Sequence, residues 1–107
     1  MKNEDGVIAS IRRLGKQILP DDAVLILYGS RARGDAGAES DWDLLVVLKD
    51  AANSFKERFD KYGYPFVGLG WEYGEYISPK IYTNDEWEQR KATPFYNNVM
   101  REGIVLC

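Results

Sequence analysis

Two short, continuous apolar runs, Val24-Leu25-Ile26-Leu27-Tyr28 and Leu44-Leu45-Val46-Val47-Leu48, interrupt a chain whose other apolar residues are spaced out. Runs of that length bounded by turn residues predict strands buried on both faces. Before them, Val7, Ile8, Ile11, Leu14 and Ile18 fall on one face of a helix over 5–19, with Arg12, Arg13 and Lys16 elsewhere and Pro20 as its stop. That helix reads as a cover packed on the sheet, and Asp21-Asp22 as solvated loop charges. After the second run, residues 51–62 read as a moderately amphipathic helix with Phe55 and Phe59 at i, i+4. The stretch YGYPFVGLGWEYGEY reads as an irregular connection whose aromatics fill the core, with a base-stacking platform as the other reading. Glu75 to Tyr82 predicts a third strand, which Pro79 assigns to an edge or a bulge. Thr83 and Glu86 form a capping box for a helix that starts at Asn84 and turns Trp87 inward. Thr93-Pro94 opens another helix, with Phe95, Tyr96 and Val99 on its apolar side and Gly103 at its end. Ile104-Val105-Leu106 is then either a short final strand or a surface for a partner. The order predicts an α/β (α+β) fold: a small mixed sheet with helices packed against it and the site where the first two strands end.

Composition narrows the chemistry. With 107 residues the chain is expected to form one domain over 1–107. A net charge of −3 argues against a sequence-independent grip on nucleic acid. There is no apolar run of transmembrane length and no signal-peptide pattern, so the expectation is a cytoplasmic protein without a membrane partner. The single cysteine, Cys107, allows no internal disulfide, and the absence of histidine leaves carboxylates as the main acid–base groups.

The carboxylates that matter lie between the two apolar runs. Gly29-Ser30 ends the first run and lets backbone N–H groups approach an anion closely, especially if Arg31-Ala32-Arg33 begins a helix. Asp41 and Asp43 are two apart at the entry to the second run, so in extended backbone they project to one face and repel each other. A hard divalent cation relieves that repulsion, and Mg²⁺ is commonly bound through one or two carboxylates plus substrate phosphates. Gly29 and Ser30 as a phosphate cradle beside Asp41 and Asp43 as metal ligands therefore predict a nucleoside triphosphate site. Arg31 is a candidate partner for phosphate oxygens. Both Arg31 and Arg33 have the alternative of pairing with Asp35, Glu39 or Asp41. Ser40 is placed to orient Asp41.

Gly29-Ser30, a ten-residue spacer and Asp41-x-Asp43, set in LYGSRARG…SDWDLLVVL, resemble the nucleotidyltransferases of the DNA polymerase beta superfamily, most closely the minimal nucleotidyltransferases. The resemblance is sharp over residues 24 to 50. It implies a nucleotidyltransferase-like fold and two-metal chemistry on Asp41 and Asp43, with a nucleotide, AMP from ATP, transferred to a hydroxyl. It also implies a third carboxylate on the next strand. Aligning that strand by its apolar residues puts Ser78 there, so Glu75, or else Glu72, is the candidate that completes the catalytic set. Relatives of this size resemble antitoxins that modify a HEPN-type partner protein, so such a partner is expected, or a homo-oligomer. The alternative is a non-catalytic nucleotide- or partner-binding module that keeps the phosphate loop without turnover.

Overall fold

The structure, a computed structural model, describes residues 4–49 and 54–107. The opening helix α1 spans Glu4–Ile18, and β1 follows at Val24–Tyr28, as the periodicity predicts. A four-residue helix α2, Ser30–Arg33, leads to β2 at Trp42–Leu48. The strand thus starts two residues before its apolar run, taking in Trp42 and Asp43. Of the helix expected over 51–62, residues 51–53 lie outside the described residues; α3 occupies Phe55–Arg58 behind a Ser54–Glu57 capping box.

The stretch expected to be an irregular connection is helical instead. A π turn at Phe59–Gly63 follows α3 directly and runs into α4, Tyr64–Glu72. Proline and glycine suggested a break, but each is accommodated. Pro65 lies in the first turn of α4, just after the π turn in which Tyr64 N–H reaches Phe59 O, and that wider turn leaves room for a ring that an α-turn would crowd. Gly70 is present for contact: a Cβ there would meet Glu75 O at 2.8 Å and Ile77 Cγ1 at 3.0 Å. The helix therefore rests directly on the entry to the third strand.

That strand, β3, is Ile77–Thr83, shorter at its start than expected, so Glu75 precedes it. The Thr83–Glu86 capping box opens α5, Asn84–Glu88, with Trp87 buried. Thr93 caps α6, Pro94–Glu102, and Gly103 ends it. Ile104–Val105 form a short strand, β4.

The sheet order is β3-β2-β1-β4, so Pro79 lies on an edge strand, where its missing N–H costs no interior ladder bond. β1 runs antiparallel to both β2 and β4, while β2 and β3 are parallel, joined by the helical crossover that a parallel pair requires. Strand alternation sorts the core into two. Leu25, Leu27, Trp42, Leu44, Val46, Leu48, Ile77 and Ile81 pack with Val7 and Ile11 of α1 and Phe66 of α4. On the other face Ile26, Tyr28, Leu45 and Val47 pack with Trp87 and Val99. At one end of this second face, Tyr28, Asp43 and Ser78 stand side by side across three strands.

Candidate nucleotide site

The site is built where β1 ends and, because the strands are antiparallel, where β2 begins. Gly29 leaves β1 with φ 75°, a left-handed value that favours glycine. Its second reason is spatial: a Cβ at Gly29 would overlap Asp43 Oδ2. The backbone of the Gly29-Ser30 turn thus lies directly against the second carboxylate of the pair, so the two parts inferred separately from sequence lie together in the fold. The helical bonds of α2 begin with Ala32 N–H to Gly29 O, and the N–H of Ser30 precedes them, where helices leave donors for other partners. With four residues α2 has little macrodipole, so the cradle is a matter of local N–H groups.

Asp41 is exposed and Asp43 half-buried. Burial holds the Asp43 carboxyl above the ordinary range, the Asp41 charge adds to this, and Lys80 and Arg33 work in the opposite sense. The Asp41 charge thus acts on Asp43 in the sense of the expected repulsion. Burial, followed by the Asp43 charge, likewise pushes the Tyr28 phenol above its ordinary value. A pair of carboxylates, the half-buried one with its negative charge disfavoured, beside a turn closed to any side chain, suits a divalent cation that completes its shell with phosphate oxygens. They do not make a protein-only cage: among the described residues no three acidic, histidine or cysteine side chains gather closely enough to hold a metal.

That fact corrects the expected role of Glu75. Its carboxylate is buried on the Trp42 side of β2, where Oε1 accepts from Trp42 Nε1 at 2.9 Å and from Arg31 at 3.2 Å. Alternation along β2 turns Trp42 away from Asp41 and Asp43, so Glu75 does not join them. Glu72 is exposed on α4 in a groove with Ser10, Arg13 and Gln17 of α1, away from the pair. Ser78 is the register partner of Asp43, as the apolar alignment of the strand predicts.

The arginines divide between the two readings: Arg33 takes the ion pair with Asp35 that one alternative names, and Arg31 pairs with Glu75, which neither names. The Arg31 side chain is 3% exposed, donates to Ser40 O at 3.0 Å and to Glu75, and lies over the Trp42 ring at 4.5 Å. This engagement inside the protein corrects the expectation that it faces phosphate. Arg33 pairs with Asp35 and with Glu102 of α6. The hydroxyl of Ser40 accepts from Gly37 N–H, and its carbonyl is what Arg31 holds. Lys80 was missed in the sequence, although its place two residues beyond Ser78 puts it on the Asp43 face by simple alternation.

The family model of the nucleotidyltransferase domain matches residues 8–102. A bifunctional uridylyltransferase/uridylyl-removing enzyme of Burkholderia thailandensis is 34% identical over 79 residues, which are 72% of this chain and 9% of that protein. The corresponding Burkholderia mallei enzyme is 35% identical over 69 residues, 64% of this chain and 8% of its own length. The chain thus spans under a tenth of these relatives. Among solved structures, a toxin–antitoxin with AMP-PNP aligns over 94% of this chain and 72% of its own at TM-score 0.63 and 18% identity. A protein assigned as a nucleotidyltransferase from Sulfolobus solfataricus aligns over 98% and 86% at TM-score 0.56 and 19% identity, again a likeness of fold. No helix among the described residues is long and apolar enough to cross a membrane. With the family model covering nearly all of the chain and the Gly-Ser turn closed against the Asp-x-Asp strand, the chain belongs to the nucleotidyltransferase domain family and carries the core of a minimal nucleotidyltransferase.

Proposed function

We propose that this domain binds a Mg-nucleoside triphosphate, ATP in the first instance, and transfers its nucleoside monophosphate to an acceptor hydroxyl. The observation that carries the proposal is the close approach of the Gly29 backbone to Asp43, which supports reading the turn as a phosphate cradle and the carboxylate as a metal ligand of one site. In this reading Gly29 and Ser30 hold the phosphates by backbone N–H groups, and Asp41 and Asp43 hold Mg²⁺. The ion, when bound, supplies the positive charge that offsets the triphosphate and the departing pyrophosphate. Lys80 and Arg33, which already favour the charged form of Asp43, contribute further positive potential at the same face. The acceptor oxygen forms a bond to the α-phosphorus, the bond to the bridging oxygen breaks, and pyrophosphate leaves with the electron pair. Ser78 cannot take the acceptor's proton as a carboxylate would, so the base is expected to come from solvent or from the acceptor's own protein.

A partner protein as acceptor, of HEPN type if the resemblance to antitoxins holds, agrees with the toxin–antitoxin likeness and with the AMP-PNP in that structure. Exposed Trp71, Tyr73 and Tyr76 around the end of α4, and Met100, Ile104 and Val105 of α6 and β4, supply apolar surface for a partner or for a second copy. The uridylyltransferase relatives make UTP the competing nucleotide. Incubation with α-labelled ATP or UTP, Mg²⁺ and lysate tests both points. Label should enter a protein from ATP, and should not with Asp43→Asn. Label entering only from UTP would replace the nucleotide in this reading.

One observation favours a second reading. Ser78 stands beside Asp43, and among the described residues no third carboxylate gathers there, which suits a nucleotide-binding module without turnover. Mg-dependent ATP binding with no pyrophosphate release, even with lysate present, would decide for it.

A further inference from the structure

The Arg31–Glu75 pair lies outside the phosphate and metal contacts proposed above, yet its contacts with Ser40 and Trp42 reach the segment that carries them. Arg31 belongs to α2, directly behind the Gly29-Ser30 turn. Its guanidinium donates to the carbonyl of Ser40, the residue before Asp41, and covers the ring of Trp42, the residue between Asp41 and Asp43. Glu75 accepts from Arg31 and from the indole of the same Trp42. The Trp42 backbone N–H donates to Tyr76 O at 2.8 Å. Trp42, with no exposed surface, is thus held through its backbone, its indole N–H and its ring face. The two carboxylates flank this fixed residue.

Resting on the nucleotide-site reading above, we infer that Arg31 and Glu75 are positioning residues, a buried clamp that sets the Asp41–Asp43 segment at its working distance from the phosphate turn. Simple filling of space does not require them. Apolar side chains would occupy the same volume without desolvating two charges, whereas directional hydrogen bonds are what fix a carbonyl and an indole in place. Groups behind metal ligands govern metal affinity through such orientation.

The test is ATP affinity with Mg²⁺ and with EDTA, titrated at a temperature where circular dichroism shows each variant folded. The parent, Glu75→Gln and the double variant Arg31→Met/Glu75→Leu are compared. The readout is the ratio of the two affinities, which a role in packing alone leaves unchanged. Glu75→Gln is expected to reduce the ratio about tenfold, with metal-free ATP binding nearly unaltered. The double variant removes both buried charges and is expected to regain melting temperature without regaining the ratio. It carries the comparison alone if Glu75→Gln does not fold. A ratio equal to the parent's in the folded variants overturns the clamp and leaves the nucleotide site standing. A parent that binds ATP equally with and without Mg²⁺ overturns the site reading, and the clamp with it.

Discussion

Two of the arginine–glutamate pairs among the described residues, Arg31–Glu75 and Arg58–Glu86, differ in what they join. Arg31 and Glu75 are sealed, at 3% and 4% side-chain exposure, and both hold the turn of chain that bears the aspartates. Arg58 and Glu86 are half-open, at 9% and 39%. They meet in two bonds of 2.7 and 3.2 Å, while Glu86 also accepts the Thr83 N–H of its capping box. One pair fixes a site and the other ties a helix start to α3. Solvent access separates their energetics, because a sealed ion loses its hydration and depends entirely on its partner, whereas an open one keeps part of it.

The largest effect expected of this difference comes from breaking the sealed pair from one side. Arg31→Met takes the guanidinium away from a buried carboxylate, and should cost about 3–5 kcal/mol in urea unfolding. A loss below about 1 kcal/mol would show the pair to be as solvated as its open counterpart. Glu86→Gln should cost less, about 1–2 kcal/mol at pH 7, discounted because more than a third of that side chain meets water.

The open pair adds a pH signature. Hydrogen bonds from Arg58 and then from the Thr83 N–H hold the Glu86 carboxyl down at about 2, from 4.5. A depressed acid stabilises the fold above its unfolded value, so the advantage of the parent over Glu86→Gln should be full above pH 4.5 and fade as pH falls toward 2. An advantage that persists unchanged into acid would assign the effect to packing.

The smallest effect on stability should come from the aspartates, and its sign is reversed. With the Asp43 carboxyl raised, parent stability decreases as pH rises from 3.8 through the folded value. Asp43→Asn removes that loss and should be no less stable at pH 7, by a gain under about 0.5 kcal/mol. The same variant should lose the melting shift produced by Mg-ATP. A much lower melting temperature for Asp43→Asn, or a full Mg-ATP shift, would make the carboxylate structural.

The heart of the site was legible because it is local. A five-residue apolar run, a glycine turn and aspartates two apart can be placed from strand alternation alone, and so could Ser78 beside Asp43. What escaped was decided by contacts distant in sequence. Pro65 and Gly70 looked like breaks because their local propensities were unfavourable, whereas a π turn accommodates the first and close packing on Glu75 and Ile77 requires the second. Glu75 looked like a third ligand on the expectation that an irregularity at Pro79 shifts the strand, whereas the register runs unbroken through Pro79 and keeps Ser78 beside Asp43. Its partners, Arg31 and Trp42, are far enough along the chain that no spacing rule would join them.

The pairing of β1 with β4 has a consequence for how the sheet is made. Leu106 N–H reaches Leu25 O, and Leu25 N–H reaches Cys107 O, so the outer edge of β1 is covered by residues from the far end of the sequence. Loop closure over such a separation is slow compared with the nearer pairing of β1 and β2. We predict that β1 and β2 form early and that β4 docks last, leaving a transient species whose bare strand edge can recruit another chain. In refolding experiments, amide protection at Leu25 should lag behind that at Leu45, and protein concentration should govern the yield within that interval.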